Sequence, residues 1–232
     1  IKKIYDTLKG KAEMRFAAFT GKAAENLIKK AVPCQTLHSL IYSPREEEGR
    51  TYYEKKDSLD TDLIIIDESS MLEQEYIDDL KSFNIPIIFF GDTFQLPPIS
   101  GIRPETLVNH NYEITQIMRN AGIIIENLTR IRNFQPLKIG VQKDDNGSSF
   151  SVLFKGNKRV DEKLLEFDRI ICGTNAERNR LNTEIRFRKG LKSTLPEIGE
   201  EIICLKNTNM EDTGVSLKNG EIVVVVMNTS SE

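Results

Sequence analysis

Four consecutive aliphatic residues, Leu63-Ile-Ile-Ile66, run directly into two carboxylates, Asp67 and Glu68. A run that apolar needs cover on both faces, which is the situation of a strand inside a parallel sheet. Two more runs share this build. Met14-Arg-Phe-Ala-Ala-Phe19 leads into Thr20-Gly21-Lys22, and Pro86-Ile-Ile-Phe-Phe90 leads into Gly91-Asp92-Thr93-Phe94-Gln95. Helical spacing fills the gaps, with Ile1, Ile4, Tyr5 and Leu8 before the first run and Leu72, Tyr76, Leu80 and Phe83 between the other two. Strands alternating with helices predict an α/β fold around a parallel sheet. Ligands of such sheets bind beyond the carboxyl ends of the strands, so the three polar endings predict one constellation.

A helix is expected over about 23–30, stopped by Pro33, and a helical turn near 37–41. Residues 43–61 read as polar and turn-rich. A further helix is expected at 123–132, a turn at Asp145-Asn146-Gly147, and a fourth strand at Phe167–Cys172. Asn175 is placed to cap a basic helix over 176–189 that Gly190 can close. From Ile198 the pattern changes to strands without helices, Glu201–Leu205 and Glu221–Met227. Asn219-Gly220 gives a type I′ hairpin signal before the second of these.

The chain has 232 residues, 39% hydrophobic and 29% charged, enough for one large domain or two small ones without disulfide staples. No apolar run approaches the roughly 20 residues a membrane-spanning helix needs. Three widely spaced cysteines and two histidines argue against a Cys-x-x-Cys pair or a multi-histidine metal site. They suggest a reducing, cytoplasmic setting, with no membrane partner. Net charge is −3, but its distribution is uneven. Residues 1–50 carry ten Lys/Arg against six Asp/Glu, residues 51–100 three against eleven, and residues 178–192 six against one. An acidic centre between basic flanks suits a protein holding Mg²⁺ in one place and a polyanion in others. Solvated helix faces would give the same count.

Asp67-Glu68 after the aliphatic run is a Walker-B-like arrangement. The first carboxylate can hold the Mg²⁺ of a nucleoside triphosphate and the second can orient or deprotonate the attacking water. A solvated strand end is the alternative. An amide at Gln95 could reach a γ-phosphate and a lytic water. Lys22 follows Gly21, but the phosphate-loop pattern G-x-x-x-x-G-K-[ST] fails at Phe16 and Ala23, and no part of the chain satisfies it. Lys22 at a helix start suits a nucleic-acid phosphate. His38 reads as a packing or capping residue. Arg119 reads as a surface residue or an arginine finger, and Tyr52 and Tyr53 as packing or base-stacking residues.

Taken together, Phe19-Thr-Gly-Lys-Ala-Ala-Glu-Asn-Leu27, Thr36-Leu-His-Ser-Leu-Ile41, Ile64-Ile-Ile-Asp-Glu-Ser-Ser-Met71, Gly91-Asp-Thr-Phe-Gln-Leu-Pro-Pro98, Gln116-Ile-Met-Arg-Asn120 and Ile171-Cys-Gly-Thr-Asn-Ala-Glu-Arg-Asn-Arg-Leu-Asn182 resemble, in order, the motifs of RecD-like superfamily 1 DNA helicases, including the Dda-like phage enzymes. The resemblance covers nearly the whole chain. Phe19 stands where the family usually has Pro, and Met118 where His is common.

The resemblance implies a RecA-like P-loop NTPase sheet over 1–117, part of a second RecA-like domain over 118–195, and the start of an SH3-like β insert over 196–232. Residues 43–61 would occupy the place of a small insert carrying a strand-separating pin. It implies that Asp67 and Glu68 form the Mg²⁺ and water-activating pair, that Asp92 and Gln95 couple the γ-phosphate of ATP to DNA, and that Arg119 reaches that phosphate. Thr20, Gly21, Lys22, Thr36 and His38 would contact single-stranded DNA from the first domain, and Thr174, Asn175 and Arg178 from the second. DNA junctions would be partners too. The missing phosphate loop implies a piece of a longer ATP-dependent helicase, with polarity 5′ to 3′ by analogy and the 232 residues inactive alone. A non-catalytic single-strand-binding module is the rival expectation, and another P-loop ATPase such as a clamp loader a more distant one.

Overall fold

A parallel sheet needs crossovers, and the first 90 residues supply them. The computed structural model describes residues 1–47, 50–115, 122–154, 156, 162–205, 208–210, 214–217 and 219–227. In chain order the first elements are α1 (Lys2–Leu8), β1 (Met14–Ala18), α2 (Gly21–Ile28), β2 (Cys34–Thr36), α3 (Leu37–Ile41), β3 (Tyr42–Glu47) and β4 (Arg50–Lys55). They continue with β5 (Leu63–Asp67), a 3₁₀ turn at Ser69–Met71, α4 (Gln74–Ser82), β6 (Ile87–Phe89) and α5 (Glu105–Val108). Strands β2, β1, β5 and β6 form one sheet in that order, all parallel.

Alternation along the strands fills both faces of this sheet. Ile64 and Ile66 join Ala17, Leu37, Leu40, Ile41, Leu72, Ile77 and Leu80 on one side. Ile65 joins Phe16, Leu27 and Val32 on the other. Each fully buried aliphatic side chain contributes about 1.5–3 kcal/mol. This two-sided cover is why the central run tolerates no polar residue before Asp67.

Residues 43–61 depart from the turn-rich expectation. Most of them form an antiparallel ribbon in which Tyr42 pairs with Lys55 and Glu47 with Arg50. Arg45 and Glu54 close an ion pair across it at 2.8 Å. The ribbon is polar on both faces and exposed, so its sequence carries no strand-like apolar alternation.

The chain divides into two units, Ile1–Glu113 with Glu201–Val223, and Ile114–Glu200 with the segment from Val224. The second unit contains α6 (Gly122–Arg132), β7 (Gly140–Lys143), β8 (Ser149–Val152) and α7 (Asn175–Arg188). The Asp145–Gly147 turn forms as expected, joining β7 to β8. Asp144 organises it: its Oδ1 accepts from the Asn146 and Ser148 amides, and its Oδ2 accepts from Ile123 N at the start of α6. Two expectations are corrected here. Phe167–Cys172 forms no strand, because no neighbouring strand pairs with it among the described residues; Ile171 is 97% exposed. Thr174, not Asn175, caps α7, its hydroxyl accepting from Glu177 N at 3.2 Å. Gly190 does close that helix, with φ +80° and the Leu191 amide donating to Arg186 O.

Near the end of the described chain, β9 (Glu201–Ile203) pairs with β12 (Ile222–Val224), and β10 (Thr208–Met210) with β11 (Val215–Leu217). Asn219-Gly220 therefore turns the chain between two different ribbons and not within one hairpin. Gly220 has φ +85° and its amide donates to Cys204 O. No helix among the described residues is long and apolar enough to cross a membrane.

Candidate functional site

The parallel register brings four strand ends to one rim of the first unit. Ala18 lies beside Thr36 on one side and Asp67 on the other, and Ile66 lies beside Phe89. Just past each end the chain turns into polar sequence. Thr20 caps α2, its hydroxyl accepting from Ala23 N at 3.2 Å, and Thr36 caps α3 through Ser39 N at 3.3 Å. Thr20, Gly21, Lys22, Thr36, His38, Asp67, Glu68, Asp92 and Gln95 thus all follow the carboxyl edge of one sheet.

The turn after β5 is conformationally special. Glu68 has φ +54° and ψ +43°, a left-handed conformation that costs a non-glycine residue on the order of 1–3 kcal/mol. Its amide donates to Asp67 Oδ1 at 3.1 Å. The next residue, Ser69, donates its amide to Phe90 O at 2.9 Å, and Phe90 N donates to Ile66 O at 2.8 Å. The endings of β5 and β6 are therefore bonded to each other past the ends of their strands. Gly91 makes that approach possible. A Cβ there would come within 2.6 Å of Ser69 Oγ and of Leu107 Cδ2, and 3.2 Å from Ser70 N. Beyond it, Asp92 folds its own loop: its Oδ1 accepts from Phe94 N and its carbonyl from Gln95 N, both at 3.0 Å. Gln95 is left exposed. On the other side of the rim, burial together with the Asp67 carboxylate pushes the Cys34 thiol up to about 11.

Lys22 is exposed and shares Glu25 with Lys29, at 3.1 and 2.9 Å. Such solvated pairs are worth about 0–1 kcal/mol, so an incoming phosphate can displace them. The same contacts hold the Glu25 carboxyl below its usual range, the Lys29 hydrogen bond first. His38 is not a capping residue. Its ring lies 4.9 Å from Tyr42 and 4.4 Å from Tyr53, so it packs against the base of the β3–β4 ribbon. Thr174, Asn175 and Arg178 form the first turn of α7 in the second unit. Three other arginines of that helix are neutralised, Arg180 by Glu177, Arg188 by Glu184 and Arg186 by Glu200. Arg178 bonds only the neighbouring Asn179 side-chain oxygen among the contacts described. Arg119 lies outside the described residues.

Sequence reasoning missed Glu73, which precedes α4. Its carboxylate accepts from Ser100 N at 3.0 Å and from Ser100 Oγ at 2.6 Å, tying the loop after Gln95 to α4. These bonds hold its carboxyl below the usual range, the Ser100 hydroxyl first. The only local signal was its position just before a helix.

Residues 1–101 match the family model described as AAA domain. Over 202 residues the chain is 28% identical to "ATP-dependent DNA helicase Pif1" of Campylobacter jejuni, an alignment covering 75% of this chain and 41% of that protein. Over 115 residues it is 32% identical to "RecBCD enzyme subunit RecD" of Buchnera aphidicola, covering 40% and 19%. Over these stretches the chain is similar to RecD/Pif1-like superfamily 1 helicases. A crystal structure of Bacteroides Pif1 bound to ssDNA shares the fold, with TM-score 0.50 and 19% identity over 99% of this chain and 63% of that one. The parallel sheet accordingly has a RecA-like fold. The RecD/Pif1-like chain spans about two fifths of the length of the Campylobacter relative.

Among the described residues of this RecD/Pif1-like chain, no three His, Cys, Asp or Glu side chains form a ready metal cage. The half-buried Asp67 fits a different demand. Mg²⁺ on a nucleotide keeps its waters and phosphate oxygens and takes only one or two protein carboxylates.

Proposed function

We propose that this RecD/Pif1-like sequence is the part of an ATP-dependent DNA helicase that activates water, senses the γ-phosphate and grips single-stranded DNA. In this reading the phosphate cradle comes from sequence outside these 232 residues, because no G-x-x-x-x-G-K-[ST] run occurs within them. The 232 residues alone are then inactive in ATP hydrolysis. The observation that carries the reading is the bonding of the β5 and β6 endings through Ser69, Phe90 and Ile66 around Gly91, which puts Asp67-Glu68 and Asp92–Gln95 in one rigid unit.

Magnesium-bound ATP supplies the electrophilic phosphorus and the leaving group. Asp67 would hold the magnesium of the bound nucleotide, and Glu68, turned by its left-handed backbone, would accept the proton of the attacking water. Asp92 fixes the loop so that Gln95 can place its amide between that water and the γ-phosphate. Arg119 stabilises the departing charge as an arginine finger. Thr20, Gly21, Lys22, Thr36 and His38 on one domain, and Thr174, Asn175 and Arg178 on the other, bind backbone phosphates of the strand. Helix starts capped by threonine present free amides there, which favours anions. Residues 118–195 belong to the second RecA-like domain and 196–232 to the start of an SH3-like insert. The exposed β3–β4 ribbon is the strand-separating pin, and translocation runs 5′ to 3′.

The test is ATP turnover and fork unwinding by the protein carrying this sequence together with its phosphate loop. Turnover stimulated by single-stranded DNA, with strand separation, is expected. Salt-sensitive single-strand binding without turnover would instead favour the non-catalytic binding module.

A further inference from the structure

Helix α4 is held at both ends by contacts that the helicase reading does not use. At its N-terminal end, Glu73 takes two hydrogen bonds from Ser100, five residues past Gln95. At its C-terminal end, Asp79 accepts from the Tyr42 hydroxyl and pairs with Lys55 at 3.4 Å. Tyr42 and Lys55 are the first cross-strand pair of the β3–β4 ribbon. Lys55 also donates to Ser82 Oγ, which in turn donates to Asp79 O at 2.7 Å. Between these joints Ile77 and Leu80 are fully buried, so the helix, about 13 Å long, is stiffened by the core. Rings reinforce the second joint. Phe19, beside Thr20, meets Tyr76 of α4, Tyr76 meets Tyr42, and Tyr42 meets His38, which meets Tyr53.

We infer that α4 is the coupling element between the Asp92–Ser100 loop and the exposed ribbon, with Glu73 and Asp79 as positioning residues at its two ends. A displacement of the loop is passed to the ribbon base through two charged joints and a helix anchored in the core by Ile77 and Leu80. The ribbon is otherwise exposed along its length, so its base contacts set its direction. The functional consequence rests on the helicase reading; the mechanical link does not.

The link is read first in the 232-residue chain, by hydrogen exchange of the ribbon amides, 42–47 and 50–55. Glu73→Gln touches only the far end of α4, yet it should speed exchange at the ribbon base by about threefold or more, and Asp79→Asn by more still. Ribbon protection unchanged in Glu73→Gln, in a chain that melts like wild type, overturns the proposal. In the active helicase, Asp79→Asn and Tyr42→Phe should leave single-strand-stimulated ATP turnover within about twofold but cut base pairs unwound per ATP about fivefold or more. The Glu73→Gln/Asp79→Asn double variant should be no worse than the more severe single one, as expected for two joints in series. Unwinding per ATP that stays unchanged, or falls additively, contradicts the coupling. If the wild-type helicase turns over no ATP, the helicase reading fails, while the exchange result still decides the link.

Discussion

Ile64, Ile65 and Ile66 are at most 1% exposed, whereas Phe167, Ile170 and Ile171 are 50%, 37% and 97% exposed. Both segments are apolar runs ending in polar, chemistry-bearing sequence. The difference lies in partners. The first run has β1 on one side and β6 on the other, with helices over both faces. The second has no strand beside it among the described residues, and Leu164 is the only buried apolar side chain of its unit there. What organises the second unit is polar: Asp144 over its turn and helix start, Thr174 on α7, and Arg186 with Glu200 at 2.9 Å. An apolar run thus becomes a strand only when neighbours exist to pair with it, while caps form from local sequence alone.

The comparison breaks most easily in the core. Ile65→Ala should cost the first unit about 2–5 kcal/mol in urea unfolding, whereas Ile171→Ala should stay within about 0.5 kcal/mol. Equal effects would mean that the two runs are packed alike. Next in size is Gly91→Ala. Overpacking against Ser69 and Leu107 should cost about 1–3 kcal/mol, and in the active helicase it should lower ATP turnover by prising the two strand endings apart. The caps should erase the contrast. Thr20→Ala and Thr174→Ala should each cost about 1 kcal/mol, measured by thermal melting, because a cap works the same way in either unit.

The pH dependence is a subtler probe. Hydrogen bonds from the Ile123, Ser148 and Asn146 amides hold the Asp144 carboxyl below its ordinary range, the Ile123 bond first. A depressed carboxyl stabilises the fold above its unfolded value, and that contribution is lost as pH falls through the folded value. Protection of the Ile123 and Ser148 amides, relative to their intrinsic exchange rates, should therefore fall as pH drops through the depressed Asp144 value, and Asp144→Asn should flatten that response.

Strands β1, β5 and β6 were legible because their apolar runs match two-sided burial. Strand β2, Cys34-Gln35-Thr36, was not, since only its register with β1 makes three half-buried residues a strand. The β3–β4 ribbon was missed because it is polar on both faces. Phe167–Cys172 was misread because composition cannot report a missing neighbour. At the site, residue types and spacing marked Asp67, Glu68, Asp92 and Gln95. They did not reveal the left-handed turn at Glu68 or the Glu73–Ser100 clamp. Both depend on chain segments meeting across the fold.

The most direct test of the central claim is steady-state ATP turnover at saturating single-stranded DNA in the active helicase carrying Glu68→Gln. The account predicts a fall of about 100-fold or more in kcat, with ATP and DNA affinity kept within about threefold. Turnover within a few-fold of wild type would contradict it and leave Asp67-Glu68 a solvated strand end.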